Sequence, residues 1–332
     1  MRLIYSMART KILCVSHKED ADGIGAASLI RTAFGGETRL VDYPGLMKEL
    51  EELKNDETIK TLYICDLGLS KANEDQFIDL ITFLRKKRIA ITYIDHHDLD
   101  EKLKKKIRAL KIKLIHSTNE CTTVQVYEAF RSKLTDHSAF VAACSAITDY
   151  MEDRPLASKL LQKFDRQFAL LEATVLTFTI VTHQKDKEYL LYLVDELSEG
   201  KYAHDIPNAF EFARMQAEKI ANIIQVVKNE MKTMKNLSYM EVTNSGASMV
   251  VNFVLGMSGK DVGVSYKLRE DHAIYAVSIR GSRSCKYHLG KIVNVLATEL
   301  GGSGGGHDKA CGAVIPKDKM MLFLKTFNSK LK

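Results

Sequence analysis

The chain contains no tryptophan and only four prolines among its 332 residues. Because proline is the residue that most often stiffens or breaks a segment, we expect a helix-rich protein with few rigid linkers. The apolar runs are short, and none approaches the roughly 20 residues that a membrane helix needs. Residues 1–7 hold no apolar core of a signal peptide. The expectation is therefore a cytoplasmic protein without a membrane partner.

Closely spaced cysteine pairs are also missing. The six cysteines are spread along the chain, most of them in apolar surroundings: Cys14, Cys65, Cys121, Cys144, Cys285 and Cys311. Zinc sites and redox motifs normally need two cysteines a few residues apart, whereas a free cysteine behaves as a small buried apolar residue. We interpret all six as reduced and buried, which agrees with a cytoplasmic location.

Charge of one sign is not strongly in excess. Lysine and arginine number 48 against 42 acidic residues, which leaves a net charge of +6. This mild basicity is compatible with a polyanionic partner but does not require one. The length is sufficient for two domains.

The chain does contain acids and imidazoles placed directly after predicted strands. Residues 11–15, 61–65 and 89–94 are short apolar runs of the kind found in buried strands. The polar side chains follow in the loop 16–25, at Asp66 and in Asp95-His96-His97. Parallel strands end at one edge of a sheet, so these side chains can converge on a metal ion. For the first loop alone, a capped helix start with solvated acids is an equally good interpretation.

Strands and helices alternate from residue 11 to residue 116, and this order predicts a doubly wound, mostly parallel sheet. Most of 120–235 has a helical pattern, apart from a polar segment at 182–204. The last hundred residues contain predicted strands and one predicted helix, at 289–300. We expect an α/β protein made of a first domain, a helical linker and a smaller α/β domain, with boundaries at 1–184, 185–236 and 237–332.

Glycine is concentrated near the end of the chain. Five of the six residues in 301–306 are glycine, and His307 follows. Glycine lets backbone amides approach a ligand closely, and such segments bind phosphate. A flexible linker is the alternative, but it does not explain why the run continues into His307 and the apolar Val314-Ile315. We therefore favour a phosphate-binding segment.

Together these motifs resemble the DHH phosphoesterase superfamily. The resemblance rests on four motifs: Ser16-His17 with Asp20-Ala21-Asp22-Gly23, Asp66, Asp95-His96-His97, and Asp149. Gly304-Gly305-Gly306-His307 with the upstream Arg280 resembles the DHH-associated domain of RecJ-type exonucleases and nanoRNases, and the run Gly-Gly-Ser-Gly-Gly-Gly-His is most similar to archaeal RecJ-like proteins. The resemblance covers nearly the whole chain. It implies a DHH domain over 1–184 and a DHH-associated substrate-binding domain over 237–332.

The resemblance also implies a two-metal centre, usually of manganese, with Mg²⁺ as the alternative. Its ligands would be His17, Asp20, Asp22, Asp66, His96 and Asp149. Asp66 would bridge the two ions and so take part in catalysis, and His97 would be a second catalytic residue that faces the substrate phosphate. The substrate would be bound by Arg280, Arg283, Gly304, Gly305, Gly306 and His307. A carboxylate-rich ligand set suits Mn²⁺ or Mg²⁺ better than zinc.

The implied reaction is in-line attack of hydroxide on phosphorus, cutting a short oligonucleotide or single-stranded RNA or DNA from an end. Two alternatives stay open. One is a phosphodiesterase or phosphatase for a small nucleotide, such as a cyclic dinucleotide or a nucleoside bisphosphate. The other is a non-catalytic scaffold in replication or repair, which the complete ligand set disfavours. The polarity of digestion, the choice between RNA and DNA, and the oligomeric state, with a homodimer as one option, stay open.

Residues 120–123 (Glu-Cys-Thr-Thr) are expected to cap a helix near the site. The basic helix predicted at 209–235 is a second surface that could follow a nucleic-acid backbone. Histidines away from the strand ends are expected to be structural: His116, His137, His183, His204 and His272.

Overall fold

The computed structural model describes residues 11–43, 45–243 and 246–331. The amino-terminal segment 1–10 and Pro44, where we expect a helix to begin, lie outside the described residues. The chain divides into two compact units after Gln216. All six cysteines are buried and unpaired, as the sequence predicts. None of the described helices is both long and apolar enough to cross a membrane.

The first unit is built on a five-stranded parallel sheet. Its strands are β1 (Lys11–His17), β2 (Glu37–Val41), β3 (Ile59–Cys65), β4 (Ala90–Asp95) and β5 (Lys113–His116). They lie in the order β2-β1-β3-β4-β5, and every neighbouring pair is parallel. Strand order reverses between β1 and β3, and ligands of such sheets bind at the carboxyl ends beside this switch point. The predicted doubly wound parallel sheet is confirmed.

Both faces of this sheet are covered because successive side chains of a strand point to opposite sides. In β1, Leu13 and Val15 belong to one buried cluster and Cys14 to the other. The first cluster is covered by α2 (Gly45–Glu52), α3 (Glu74–Lys86) and α4 (Glu101–Ala109). The second is covered by α1 (Ala21–Phe34), α5 (Thr122–Phe130), α6 (Asp136–Thr148), α7 (Pro155–Leu161), α8 (Arg166–Thr182) and α9 (Lys187–Ser198).

The segment 182–204, which the sequence marks as polar, contains α9. Its buried residues Leu190, Leu193 and Val194 join the core beside α1. The polar residues between them hide the helical spacing when the sequence is read alone. Residues 185–216, the first part of the segment assigned to a linker, therefore pack within the first unit. Helix α10 (Ala209–Glu230) follows. It is shorter than the predicted helix at 209–235, because β6 (Lys232–Thr233) begins two residues after its end.

The second unit contains a six-stranded mixed sheet in the order β10-β11-β9-β8-β7-β6. Its other strands are β7 (Ser238–Glu241), β8 (Val262–Arg269), β9 (Ile274–Gly281), β10 (Ser303–Gly306) and β11 (Ala310–Pro316). Only β7 and β8 form a parallel pair. The helices of this unit after α10 are α11 (Ala247–Ser258), α12 (Leu289–Glu299) and α13 (Met320–Lys330). This arrangement confirms the smaller α/β domain.

Residues 303–306 of the glycine run form a strand, which the sequence analysis does not predict. As β10 it pairs antiparallel with β11, with Gly304 opposite Ala313. Glycine is needed in this run because a Cβ atom on Gly302 would overlap the carbonyl oxygen of Val314, and one on Gly304 would lie 3.0 Å from the Val293 side chain of α12. Gly306 also has a φ of 127°, which favours glycine. Close packing of backbone thus accounts for these glycines, and their binding of phosphate stays a prediction.

Candidate active site

The first loop of the site connects β1 to α1. His17 is the last residue of β1 and is buried. Asp20 is the N-cap of α1, and its Oδ1 accepts a hydrogen bond from the Gly23 N–H at 3.0 Å. The other oxygen, Oδ2, lies 3.5 Å from Nε2 of His17. Asp20 therefore caps α1 with one carboxylate oxygen and lies beside His17 with the other.

Gly23 allows the first turn of α1 to lie directly against the end of β1. A Cβ atom at this position would overlap the carbonyl oxygen of His17. The hydroxyl of Ser16 donates a 2.6 Å hydrogen bond to the Gly23 carbonyl and closes the contact. The first turn of α1, which carries Asp22, therefore packs directly against the end of β1, which carries His17.

Asp22 is held by the first residues of α5. Its Oδ2 accepts a hydrogen bond from the Thr122 N–H at 2.7 Å and its Oδ1 accepts one from the Thr123 N–H at 2.8 Å. The Thr123 hydroxyl donates to the Asp22 carbonyl at 2.7 Å. A carboxylate at a helix N-terminus is stabilised by the exposed N–H groups there. Asp22 thus caps α5 while its carboxylate faces the other acids of the site.

Glu120 caps a second helix beside the site, as expected for the segment 120–123. Its carboxylate accepts hydrogen bonds from the N–H groups of Leu156 and Ala157, at 2.7 and 3.1 Å, in the first turn of α7. The side chain is buried. This contact ties the start of α5 to the segment that follows Asp149.

We expect Glu120→Gln to lower the free energy of unfolding by roughly 1–2 kcal/mol, because one acceptor and the charge at the α7 N-terminus are lost. Urea denaturation followed by circular dichroism would measure the loss. Glu128→Gln, at an exposed position on α5, is the matched control and should change stability little. Equal midpoints for the two variants would contradict the proposed cap.

Asp66 directly follows β3 and adopts a left-handed backbone conformation with a φ of 57°. Aspartate and asparagine tolerate this conformation better than most residues. The Asp66 N–H donates to the carbonyl of Ile94 at 3.0 Å, and the Thr122 hydroxyl donates to Oδ1 at 3.1 Å. These contacts hold a buried carboxylate at the carboxyl edge of the sheet.

His96 lies among three carboxylates that come from three different elements. Its Nε2 is 3.3 Å from Oδ1 of Asp66 and 4.0 Å from Oδ2 of Asp22. Its Nδ1 is 3.4 Å from Oδ2 of Asp149, which follows the last residue of α6. The structure therefore brings these four predicted residues together, and we call them the acidic cluster.

The acidic cluster concentrates negative charge in a buried place. Burial raises the pKa of Asp66 well above its ordinary value, and the charge of Asp22 raises it further. Burial, and then the charge of Asp22, raise the pKa of Asp149 to about 7. Such a group of acids is unfavourable unless positive charge compensates for it.

The donor atoms of the site fit divalent metal ions. Asp22, His96 and Asp149 form one group whose ligand atoms lie within 4.8 Å of one another, and Asp66, His96 and His97 form another. Oδ2 of Asp149 and Nδ1 of His17 are buried and have no hydrogen-bond partner among the described residues. Carboxylate oxygens with imidazole nitrogens suit Mn²⁺ or Mg²⁺. His17 and Asp20 lie beside each other but belong to neither group.

Two residues that sequence reasoning did not assign to the site hold His97. Oδ1 of the fully buried Asp95 lies 2.9 Å from Nδ1 of His97, and the Tyr43 hydroxyl lies 2.9 Å from Nε2. Because a carboxylate only accepts, Nδ1 carries the proton of the first bond. The ring of Tyr43 also stacks on His17, with the centroids 4.4 Å apart. Asp95 belongs to the motif Asp95-His96-His97 and could have been assigned to the site on that ground. For Tyr43, the only signal in the sequence is its position shortly after β2.

The surroundings of His97 favour its protonated form. Burial alone lowers the pKa of the imidazole. The hydrogen bond to Asp95, together with the charges of Asp95 and Asp66, outweighs this effect, so the pKa lies above the ordinary 6.5. The side chain keeps about a third of its surface exposed. His97 is thus an accessible donor at the edge of the site.

In the second unit, Arg280 and His307 lie at the same end of the sheet. Arg280, on β9, is opposite Ala310 of β11, and the His307 N–H donates to the carbonyl of Ala310 at 2.9 Å. The exposed Arg283 is in the turn after β9. On either side of it, the hydroxyls of Ser282 and Ser284 donate to Oδ1 of Asp261. The predicted substrate-binding residues are thus grouped at one end of β9, β10 and β11.

Comparison with known proteins agrees with this architecture. The family model described as DHH family, N-terminal domain, matches residues 11–169, and the model described as DHHA1 domain matches residues 235–332. Between them, the two models account for most of the chain. This protein belongs to the DHH phosphoesterase superfamily, a metal-dependent family, and carries a C-terminal DHHA1 domain. The resemblance stated from the motifs is confirmed.

Two solved structures show the same fold over nearly the whole chain. A pGpG-specific phosphodiesterase from Vibrio cholerae is 13% identical, with a TM-score of 0.63, and the match covers 97% of this chain and 99% of that one. The DHH domain of a member of a family of ribosomal proteins is 17% identical, with a TM-score of 0.68 and coverage of 97% and 87%. At such identities the likeness establishes the fold.

A curated relative is an uncharacterized protein of Methanocaldococcus jannaschii. It is 34% identical over 108 residues, which is 31% of this chain and 24% of the relative. The chain thus matches about a quarter of that protein's length.

Proposed function

We propose that this protein is a cytoplasmic, Mn²⁺-dependent phosphodiesterase that hydrolyses short RNA or single-stranded DNA from an end, in the manner of an oligoribonuclease. The observation that carries the proposal is the acidic cluster, in which Asp22, Asp66 and Asp149 surround His96 at the carboxyl ends of the strands. The family assignment supports the reaction class. The fold shared with a phosphodiesterase specific for pGpG, a linear dinucleotide, favours a short substrate.

In this proposal the acidic cluster holds one ion, and His17, Asp20 and Asp66 hold the second. A pair of bound divalent ions supplies a hydroxide nucleophile at neutral pH and neutralises charge on phosphoryl oxygens. The chain positions the groups around them. Asp95 holds the His97 ring through Nδ1, so Nε2 is the atom that can meet a phosphate oxygen. Tyr43, which now contacts Nε2, must give up that hydrogen bond when the substrate binds.

The second unit is proposed to bind the substrate phosphate through Arg280, Arg283, Gly304, Gly305, Gly306 and His307. Arginine offers a planar fork of N–H donors that matches two phosphate oxygens. Nη1 of Arg280 donates to the carbonyl of Ile279 at 3.0 Å, which leaves further donors of the guanidinium available. The extended glycine residues of β10 add backbone N–H groups near His307.

Arg280→Ala is expected to raise the KM for a dinucleotide on the order of 10- to 100-fold, because charge-assisted hydrogen bonds to phosphate are lost. The folded state should persist, since Arg280 is only partly buried. Steady-state kinetics with Mn²⁺ would measure the change. Arg269→Ala is the control, because Arg269 is exposed at the other end of the same sheet. Similar kinetics for both variants would remove Arg280 from the substrate site.

End-labelled RNA and DNA ladders, from dinucleotides to 24-mers, test the function directly in the presence of Mn²⁺ or a chelator. Preferential hydrolysis of two- to five-mers supports the oligoribonuclease. Stepwise shortening of long strands indicates a RecJ-like exonuclease, and the labelled end gives its polarity. Activity only on a cyclic dinucleotide or a nucleoside bisphosphate would favour the small-nucleotide alternative. If the protein hydrolysed none of these substrates, the proposed enzymatic activity would be wrong and the non-catalytic scaffold would be favoured.

A further inference from the structure

Tyr150 has an unusual exposed side chain next to the acidic cluster. It directly follows Asp149 in the sequence, and 78% of its surface is exposed. No other large apolar or aromatic side chain in the described part of the protein is as exposed. Neither its ring nor its hydroxyl has a stacking or hydrogen-bond partner among the described residues. The side chain therefore adds nothing visible to the packing of the first unit.

The backbone conformation at Tyr150 is unfavourable for a residue with a large side chain. Its φ is 57°, in the left-handed region. The Tyr150 N–H donates to the carbonyl of Ile147 and the Met151 N–H to that of Ala146, a pattern that ends α6. Helices that end in this way usually place glycine or asparagine at the left-handed position, because a large side chain is strained there. Strain retained at one position points to a functional use of the side chain.

We propose that the ring of Tyr150 stacks against a nucleobase of the bound oligonucleotide and so contributes to substrate affinity. This inference rests on the proposed function. Asp149 contacts His96 at 3.4 Å, so the backbone that carries the Tyr150 ring is one residue away from a member of the acidic cluster. Every base has a flat aromatic face, so stacking on an exposed tyrosine binds single strands with little sequence preference. The interaction therefore suits an enzyme that degrades short fragments of any sequence.

Two substitutions separate this role from a structural one. Tyr150→Gly and Tyr150→Asn both fit the left-handed backbone, so the unfolding midpoint should stay the same or rise. We expect KM for a dinucleotide to increase roughly 5- to 100-fold in both variants, with kcat changed little, because the loss is one base–ring contact. Tyr150→Trp should keep the affinity, since a larger ring also stacks. Unchanged KM in the Gly and Asn variants would overturn the inference.

A substrate without a base provides the complementary test. The wild type should bind a dinucleotide with one abasic position about as weakly as the Tyr150→Gly variant binds the intact dinucleotide. The variant should bind the abasic dinucleotide no more weakly than the intact one. If base removal weakens both proteins equally, the ring does not stack. Hydrolysis of oligonucleotides by the wild type and by Tyr150→Gly with equal KM overturns this inference alone. A wild type that hydrolyses no oligonucleotide overturns the proposed function and this inference together.

Discussion

Replacing Asp66 with asparagine is expected to reduce metal-dependent hydrolysis on the order of 1,000-fold, because metal-assisted stabilisation of the transition state amounts to several kcal/mol. The carboxylate lies 3.3 Å from His96 and is the predicted bridge between the two ions. An amide has nearly the same shape but carries no charge and binds a divalent ion poorly. Rates with saturating Mn²⁺ and calorimetric titration of Mn²⁺ would measure both losses.

Asparagine is the better substitution here because the backbone of Asp66 is left-handed, with a φ of 57°. Asn tolerates this conformation, whereas Asp66→Ala adds strain of roughly 1–2 kcal/mol. Asn also keeps an oxygen that accepts from the Thr122 hydroxyl, now at 3.1 Å. Asp66→Asn should therefore unfold at nearly the same urea concentration as the wild type, so that a loss of activity reports on chemistry.

Asp98→Asn is the matched control for the removal of one negative charge. Asp98 directly follows His97 but is exposed and lies outside the groups of metal-ligating atoms. Its substitution should leave the rate within about twofold, since exposed charges contribute little. If Asp66→Asn retained Mn²⁺-dependent hydrolysis comparable to that of Asp98→Asn, the assignment of the active site would be wrong.

Gly23→Ala is expected to affect stability and activity together. The added methyl group would overlap the carbonyl oxygen of His17, and backbone cannot move aside as a flexible side chain can. The first turn of α1 must therefore shift away from β1, at a cost of roughly 1–3 kcal/mol. The same shift separates Asp22 from its two N–H donors in α5. We expect activity per folded molecule to fall about 100-fold, as it does for small misplacements in active sites.

The comparison is with Gly256→Ala, in the last turn of α11. Apart from its chain neighbours and the backbone of its own helix, no heavy atom of the described residues lies within 4 Å of the position that a Cβ atom would take there. Alanine should stabilise this helix by about 0.5–1 kcal/mol. Urea melts and single-turnover rates on the folded fraction would measure both variants. A Gly23→Ala protein as stable and as active as wild type would mean that α1 does not lie against the end of β1.

The parallel sheet could be predicted because three of its five strands are short apolar runs closely followed by acids or imidazoles. The runs at 11–15, 61–65 and 89–94 correspond to β1, β3 and β4. The pattern is local, since a strand buried on both faces is apolar throughout. Convergence of the residues that follow could then be inferred from the shared edge of parallel strands, and the acidic cluster shows this convergence for Asp22, Asp66 and His96.

Other elements could not be predicted because their patterns are weak or because other parts of the chain decide them. The apolar residues of α9 are separated by charged ones, and their burial depends on α1. The sequence does not predict a strand at 310–316, yet as β11 this segment pairs with both β9 and β10. The glycines of β10 have no side chains from which a period could be seen. Pairing partners and close approach of α12 decide their structure.

The sequence by itself determined the class of chemistry, because the acids, imidazoles and glycines stand in short local motifs. These motifs can be recognised without knowledge of the fold. It also determined the alternation of strands and helices in the first domain. Only the tertiary structure decided that Tyr43 contacts His97, and that Asp22 accepts hydrogen bonds from the N–H groups of α5. These contacts join residues that are far apart in the chain or on different elements. Distances between such residues follow from packing, and no local pattern encodes them.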